Sequence, residues 1–197
     1  MAALHTEQLE FLVTHLAQLP GYTEAVGVFA ADRLPVAVLH RDHDACFILN
    51  TDPSNAPGAH WLAFYYDSSK RCLEYFDSFG LPLSLHYDVS ESLSRRGLLT
   101  HVVAMNNLGM LQSPSSTACG YYCILYLHYR SLYHRSGAHA VRKIAKLART
   151  ATKRDAAVVR CVHSLMHQHH CSDMPINLLH ACRDSQSCEC HDAHRRR

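Results

Sequence analysis

Apolar residues recur at helical spacing near the start of the chain, at Leu9, Leu12, Val13 and Leu16. Thr6 stands before them as a candidate cap, and the pattern stops ahead of Pro20-Gly21. Strand-like apolar segments follow at 26–30, 45–50, 60–66, 72–76 and 101–105, the second and third separated by the turn-rich stretch T-D-P-S-N-A-P-G-A. Both faces of W-L-A-F-Y-Y are apolar, which predicts a central strand covered on both sides. The second half changes period. D-V-S-E-S-L-S-R-R-G reads as a short helix, 119–133 as a buried one, and 140–149 and 154–167 as amphipathic ones, the last with Val158, Val159, Val162, Leu165 and Met166 on one side. Strands gathered in the middle with helices around them predict an α+β domain.

Composition narrows the setting. The chain has 197 residues, enough for one domain, and nine cysteines without a repeated spacing, so reduced thiols are the expectation rather than a disulfide framework. The first residues, M-A-A-L-H-T-E-Q-L-E, lack the pattern of a secretory signal, and no apolar run approaches a membrane span; a soluble protein in a reducing nuclear or cytoplasmic compartment is expected. A formal charge of +2 announces no polyanionic partner by itself. Its distribution is less even, because Arg142, Lys143, Lys146, Arg149, Lys153, Arg154 and Arg160 crowd one stretch opposed only by Asp155. Such a stretch reads either as a solvated helix face or as a contact surface for DNA. Residues 181–197, rich in Cys, His and Arg and poor in apolar groups, are expected to form a flexible tail.

One segment raises a chemical question. In Q-S-P-S-S-T-A-C-G-Y-Y-C, Cys119 sits where a polar, proline-broken loop gives way to the buried helix. A buried core thiol is one reading. The other is a nucleophile in the first helical turn, where unpaired N–H groups and the macrodipole favour a thiolate. Cys123, one turn further in, fits the core reading better. A nucleophile needs a base, the base an orienting group, and the oxyanion its donors. With Ser68-Ser69 taken as a two-residue hairpin turn, His60 falls directly opposite Asp77 on the same face of neighbouring antiparallel strands. Glu74, three residues earlier, projects from the other side of the strand and is disfavoured as the partner. Gln112, in the loop before Cys119, is placed where its amide could meet an oxyanion. Each also has a plain reading: a surface histidine, an Asx-turn aspartate, a solvated glutamine.

Taken in order, His60, Asp77, Gln112 and Cys119 resemble the adenovirus maturation protease family and, more distantly, its SUMO-processing relatives. G-A-H-W-L-A-F is similar to that family's histidine box, Y-F-D-S-F-G to its acid box and L-Q-S-P-S-S-T-A-C-G to its nucleophile box, and A-C-F-I-L-N-T is similar to the strand before the histidine. The resemblance implies an α+β cysteine protease fold over residues 1–180, with a central mixed or antiparallel sheet and the nucleophile helix packed against it. It implies Cys119 as nucleophile, His60 as general base and acid, Asp77 as its orienter and Gln112 as oxyanion donor, with Trp61 and Gly120 at the substrate site. No metal or other group is required for that chemistry. Viral precursor proteins cleaved at glycine-containing sites, in a host nucleus or virion, are the implied substrates. DNA and a viral peptide are the implied activators, the DNA meeting Arg142, Lys143, Lys146, Arg149, Lys153 and Arg154. Two departures stand out. The acid is aspartate, as in the SUMO-processing relatives, and His101 occupies the position where an activating peptide would be disulfide-linked, so a noncovalent peptide is expected.

Two other functions compete. A peptidase processing ubiquitin-like conjugates would share the catalytic parts. A metal-binding interaction protein is suggested by H-Q-H-H-C and by Cys188-Glu189-Cys190-His191, although that spacing is not the usual C-x2-C of zinc sites.

Overall fold

Alternation along the strands decides what each face of the sheet meets. In the computed structural model, which describes residues 3–104, 109–133 and 136–168, β1 (Glu24–Phe29), β2 (Ala45–Asn50), β3 (Trp61–Asp67), β4 (Cys72–Phe76) and β5 (Val102–Ala104) lie in that order across one sheet. The outer pairs β1–β2 and β4–β5 are parallel, and β2–β3 and β3–β4 are antiparallel, so the sheet is mixed. Cys46, Ile48, Ala63 and Tyr65 face a layer built from α1 (Thr6–Ala17), α3 (Cys119–Tyr133), α4 (Gly137–Ala145) and α5 (Ala151–Gln168). Phe47, Leu49, Leu62, Phe64 and Tyr66 face a second core, closed by 3-10 turns at 31–33 and 36–40 and by α2 (Tyr87–Ser94). Two cores flank β3 as its sequence implied, and each large apolar side chain buried there contributes about 1.5–3 kcal/mol. Among the described residues no helix is long and apolar enough to cross a membrane.

The expected bounds of β2, β4 and α3 coincide with the observed ones, but other details differ for identifiable reasons. Thr6 is the first helical residue of α1 rather than its cap; His5 precedes it, and the His5 N–H donates to Gln8 Oε1 at 3.0 Å. The β3–β4 hairpin is not closed by a two-residue turn. Pairing runs from Ala63↔Phe76 to Asp67↔Cys72, which leaves 68–71 as the loop, with Arg71 at φ 50°. Two carboxylates hold that longer loop. Asp67 accepts from Ser69 Oγ (2.6 Å) and the Lys70 N–H (3.1 Å), and Asp44 accepts from the N–H and hydroxyl of Ser68 (2.9 and 2.8 Å). The register is therefore displaced by two positions, so His60 lies diagonal to Asp77 instead of directly opposite. A shift of two preserves the face.

The helical layer carries a charged cluster of its own. Arg130 of α3 donates to Glu74 (2.6 Å) and Asp67 (3.1 Å) and lies over the Tyr65 ring at 3.8 Å, while Tyr126 donates to Glu74 at 3.3 Å. Glu74 thus points to the side of β4 away from His60.

Candidate active site

The start of β3, the end of β4 and the start of α3 meet at one end of the sheet. His60 immediately precedes β3, and its carbonyl accepts the Thr51 N–H at 2.9 Å, which extends the β2–β3 ladder and fixes the backbone. Asp77 immediately follows β4. Cys119 is the first residue of α3, which packs across β3. All three are buried, His60 and Cys119 at 8% exposure and Asp77 at 1%.

His60 Nε2 donates to Asp77 Oδ1 at 2.6 Å, close enough for the diagonal placement to have been taken up by the two side chains. The same carboxylate accepts the backbone N–H groups of Phe79 (3.0 Å) and Leu81 (3.0 Å), and a second imidazole, His86 Nε2, at 3.3 Å. His86 stacks on His60 with ring centroids 6.0 Å apart, and Phe79 stacks on His60 at 4.8 Å. Burial would raise the Asp77 carboxyl, but the hydrogen bonds from His60 and His86 hold it well below the usual carboxylate range. Burial likewise opposes a charged His60, yet its bonds to Asp77 and to Cys119 outweigh that cost and push it up to about 9. With Nε2 committed to Asp77, Nδ1 is the ring nitrogen left for the thiol.

Cys123 supplies the contrast. Its thiol donates to the Trp61 carbonyl at 3.3 Å, and complete burial pushes its pKa well up. It is a core thiol.

Gln112 is fully buried. Its Nε2 donates to the Ser116 carbonyl and its Oε1 accepts from Ser78 Oγ, both at 2.7 Å, and it borders the same cleft as Cys119, His60 and Trp61. That cleft measures about 350 Å³, and Asn50, Pro57, Gly58 and Trp61 continue from it into a second hollow of about 230 Å³. The 109–112 loop reaches Asp77's neighbours because Gly80, at φ +68°, presents no Cβ; one there would meet the Gly109 backbone at 2.7 Å.

Two expected positions are elsewhere. Gly120 faces Leu4 and, in α1, Leu9, which a Cβ would approach to 3.1 and 3.2 Å, so its small size serves packing rather than the substrate cleft. Arg154, only 9% exposed, cannot belong to a DNA-binding face: its guanidinium donates to the carbonyls of Leu111 (2.8 Å), Ala148 (2.8 Å) and Ala145 (3.3 Å). Those acceptors lie at the end of α4 and in the loop before Gln112, and Asp155 beside it accepts from the Ser113 N–H and the Tyr122 hydroxyl. Arg142, Lys143, Lys146, Arg149 and Lys153 are exposed. The expected tail at 181–197, with its Cys/His cluster, lies outside the described residues, and among those described no group of three or more His, Cys, Asp or Glu is arranged to hold a metal. His86 had no signal in the sequence and Ser78 only its place within Y-F-D-S-F-G, since each acquires its role only through the loop after β4.

A family profile described as adenovirus endoprotease matches residues 26–172. The protease of bovine adenovirus 2 is 33% identical over 129 residues, which is 62% of this chain and 60% of that one. The protease of human adenovirus D serotype 9 is 32% identical over 127 residues, 60% of this chain and 53% of that one. The matched part thus spans less than two thirds of the length of these relatives. Among solved structures, ChlaDub1 of Chlamydia trachomatis superposes with a TM-score of 0.54 over 89% of this chain and 96% of that one, at 14% identity, a likeness of fold.

Proposed function

Because the chain belongs to the adenovirus endoprotease family, we propose that it is a cysteine endopeptidase acting on viral precursor proteins at glycine-containing sites during virion maturation, in the host nucleus and the virion. The observation that carries this reading is the connected series Cys119, His60 and Asp77, the first two at the wall of one cleft with the Gln112 amide and the third buried behind His60. In this mechanism the Cys119 sulfur, its proton transferred to His60, attacks the scissile carbonyl. The carbonyl oxygen takes up negative charge and meets the free N–H of Gln112 and the backbone N–H of Cys119 at the start of α3. His60 then gives its proton to the leaving amine, a thioester remains on Cys119, and water activated by His60 releases the acid. Asp77 keeps the ring oriented throughout and stabilises the imidazolium each time it forms. The cleft, with Trp61 at its wall, supplies a surface for the substrate beside Cys119 and His60. No step calls for a metal.

Activation belongs to the same proposal. The exposed Arg142, Lys143, Lys146, Arg149 and Lys153 supply a surface for DNA, bound through phosphates with little sequence preference and with strong salt dependence. The β5 edge, where Val103 is exposed, suits a peptide added as a further strand; with His101 in place of a cysteine, that peptide would be held without a disulfide.

The test is cleavage of Gly-Gly and Gly-X-Gly peptides, alongside a ubiquitin-like conjugate, by the wild-type protein and Cys119→Ala. Cleavage of the glycine peptides that disappears in Cys119→Ala is expected. Full activity without the thiol would refute the mechanism, and cleavage of the conjugate alone would replace the substrate.

A further inference from the structure

Ser78 joins the acid side of the site to the oxyanion side. It follows Asp77 directly, and its carbonyl accepts two backbone N–H groups from the facing loop, those of Leu111 (2.9 Å) and Gln112 (3.0 Å). Its hydroxyl adds a third link by donating to Gln112 Oε1 at 2.7 Å. Ser78 and Gln112 are both fully buried, so no solvent can replace that bond.

The two ends of a glutamine amide do opposite things to a developing oxyanion: the NH2 stabilises it and the carbonyl repels it. Near Gln112, the Ser116 carbonyl accepts only, so it favours the NH2 end. That leaves Oε1 pointing into a sealed space, where an acceptor without a donor is costly. The Ser78 hydroxyl is the donor that meets it. We infer that Ser78 is a positioning residue for catalysis, which holds the Gln112 amide with its NH2 toward the oxyanion and ties that donor to the Asp77–His60 pair as one rigid unit. The inference rests on the protease reading, in which Gln112 is the oxyanion donor.

Ser78→Ala isolates the hydroxyl, because the two backbone bonds use the Ser78 carbonyl and survive the change. A side chain displaced by about 1 Å can cost ~10²-fold in rate, so kcat on a glycine peptide is expected to fall by about 10–10²-fold with KM unchanged. The decisive comparison is a double-mutant cycle with Gln112→Ala. Once the amide is gone, removing the Ser78 hydroxyl should change kcat by no more than about twofold. A parallel readout checks that the rest of the site is intact: alkylation of Cys119 by iodoacetamide should proceed in Ser78→Ala at the wild-type rate, since His60 and Asp77 are untouched. Equal losses in both backgrounds, an unchanged kcat in the single variant, or slowed alkylation would overturn the inference. Activity that survives Cys119→Ala would instead overturn the protease reading, whereas additive losses with Cys119 still essential would remove only the role of Ser78.

Discussion

Glu74 at the middle of β4 and Asp77 just past its end stand three residues apart, both buried and both paired with a basic side chain, yet they build different things. Glu74 is sealed between sheet and α3 against Arg130, with Tyr126 and the Tyr65 ring completing the enclosure. Arginine does not release its proton in proteins, so the cluster's cation has no proton to pass, and the cluster serves to lock α3 on the sheet. Asp77 projects from the other face and just beyond the strand, where its partner is an imidazole in reach of a thiol and of a cleft. The acids are alike; the partner's ability to pass a proton, and the opening beside it, separate a structural cluster from a reactive one.

The comparison breaks most sharply under substitution of the two acids' partnerships. Asp77→Asn is expected to act mainly on turnover, lowering kcat by up to ~10⁴-fold, the scale seen when a triad carboxylate is neutralised and the imidazole loses its preferred tautomer. Arg130→Ala should do the converse. It leaves Glu74 as a buried charge without its cation and Asp67 with Lys70 alone, a loss of about 3–5 kcal/mol of stability, read by urea unfolding; an unfolding midpoint like that of the wild type would show the cluster to be dispensable. Gln112→Ala is expected to reduce kcat by ~10²–10³-fold, and an unchanged kcat would take the amide out of the site.

The smallest effect is a pH signature confined to the Asp77 side. An imidazole at about 9 in the folded protein and near ~6.5 in the unfolded chain adds stability that is fully present below ~pH 6.5 and is lost as pH rises through about 9. The lowered Asp77 works in the other direction, contributing above ~pH 4 and losing its contribution as pH falls through its depressed folded value. The stability difference between wild type and His60→Gln should therefore shrink between about pH 6.5 and 9. A difference that stays constant across that range would contradict the ion pair.

What could be read in the sequence follows from how local each cause is. Strands β2 and β4 and helix α3 are bounded by abrupt apolar-to-polar changes, and their limits were legible to the residue. The hairpin between β3 and β4 was not, because its loop is held by the carboxylates of Asp44 and Asp67, one of them more than twenty positions away from the serine it binds. His60 and Asp77 were found from a register two positions off, and the face survived because strand alternation has period two. Arg154 misled because a basic residue among basic residues reads as surface, whereas its acceptors, Leu111 O, Ala145 O and Ala148 O, exist only after α4 and α5 have packed. His86 and Ser78 share that origin: both meet their partners through the turn after β4, which no periodicity encodes.

The most direct measurement compares the two thiols of α3 that lie one helical turn apart. After brief iodoacetamide treatment near neutral pH, mass mapping should find Cys119 modified ahead of every other cysteine and Cys123 unmodified, with the Cys119 rate falling in His60→Ala. Equal labelling of Cys119 and Cys123, or a Cys119 rate that does not respond to the loss of His60, would contradict the assignment of the open end of the sheet as the reactive one.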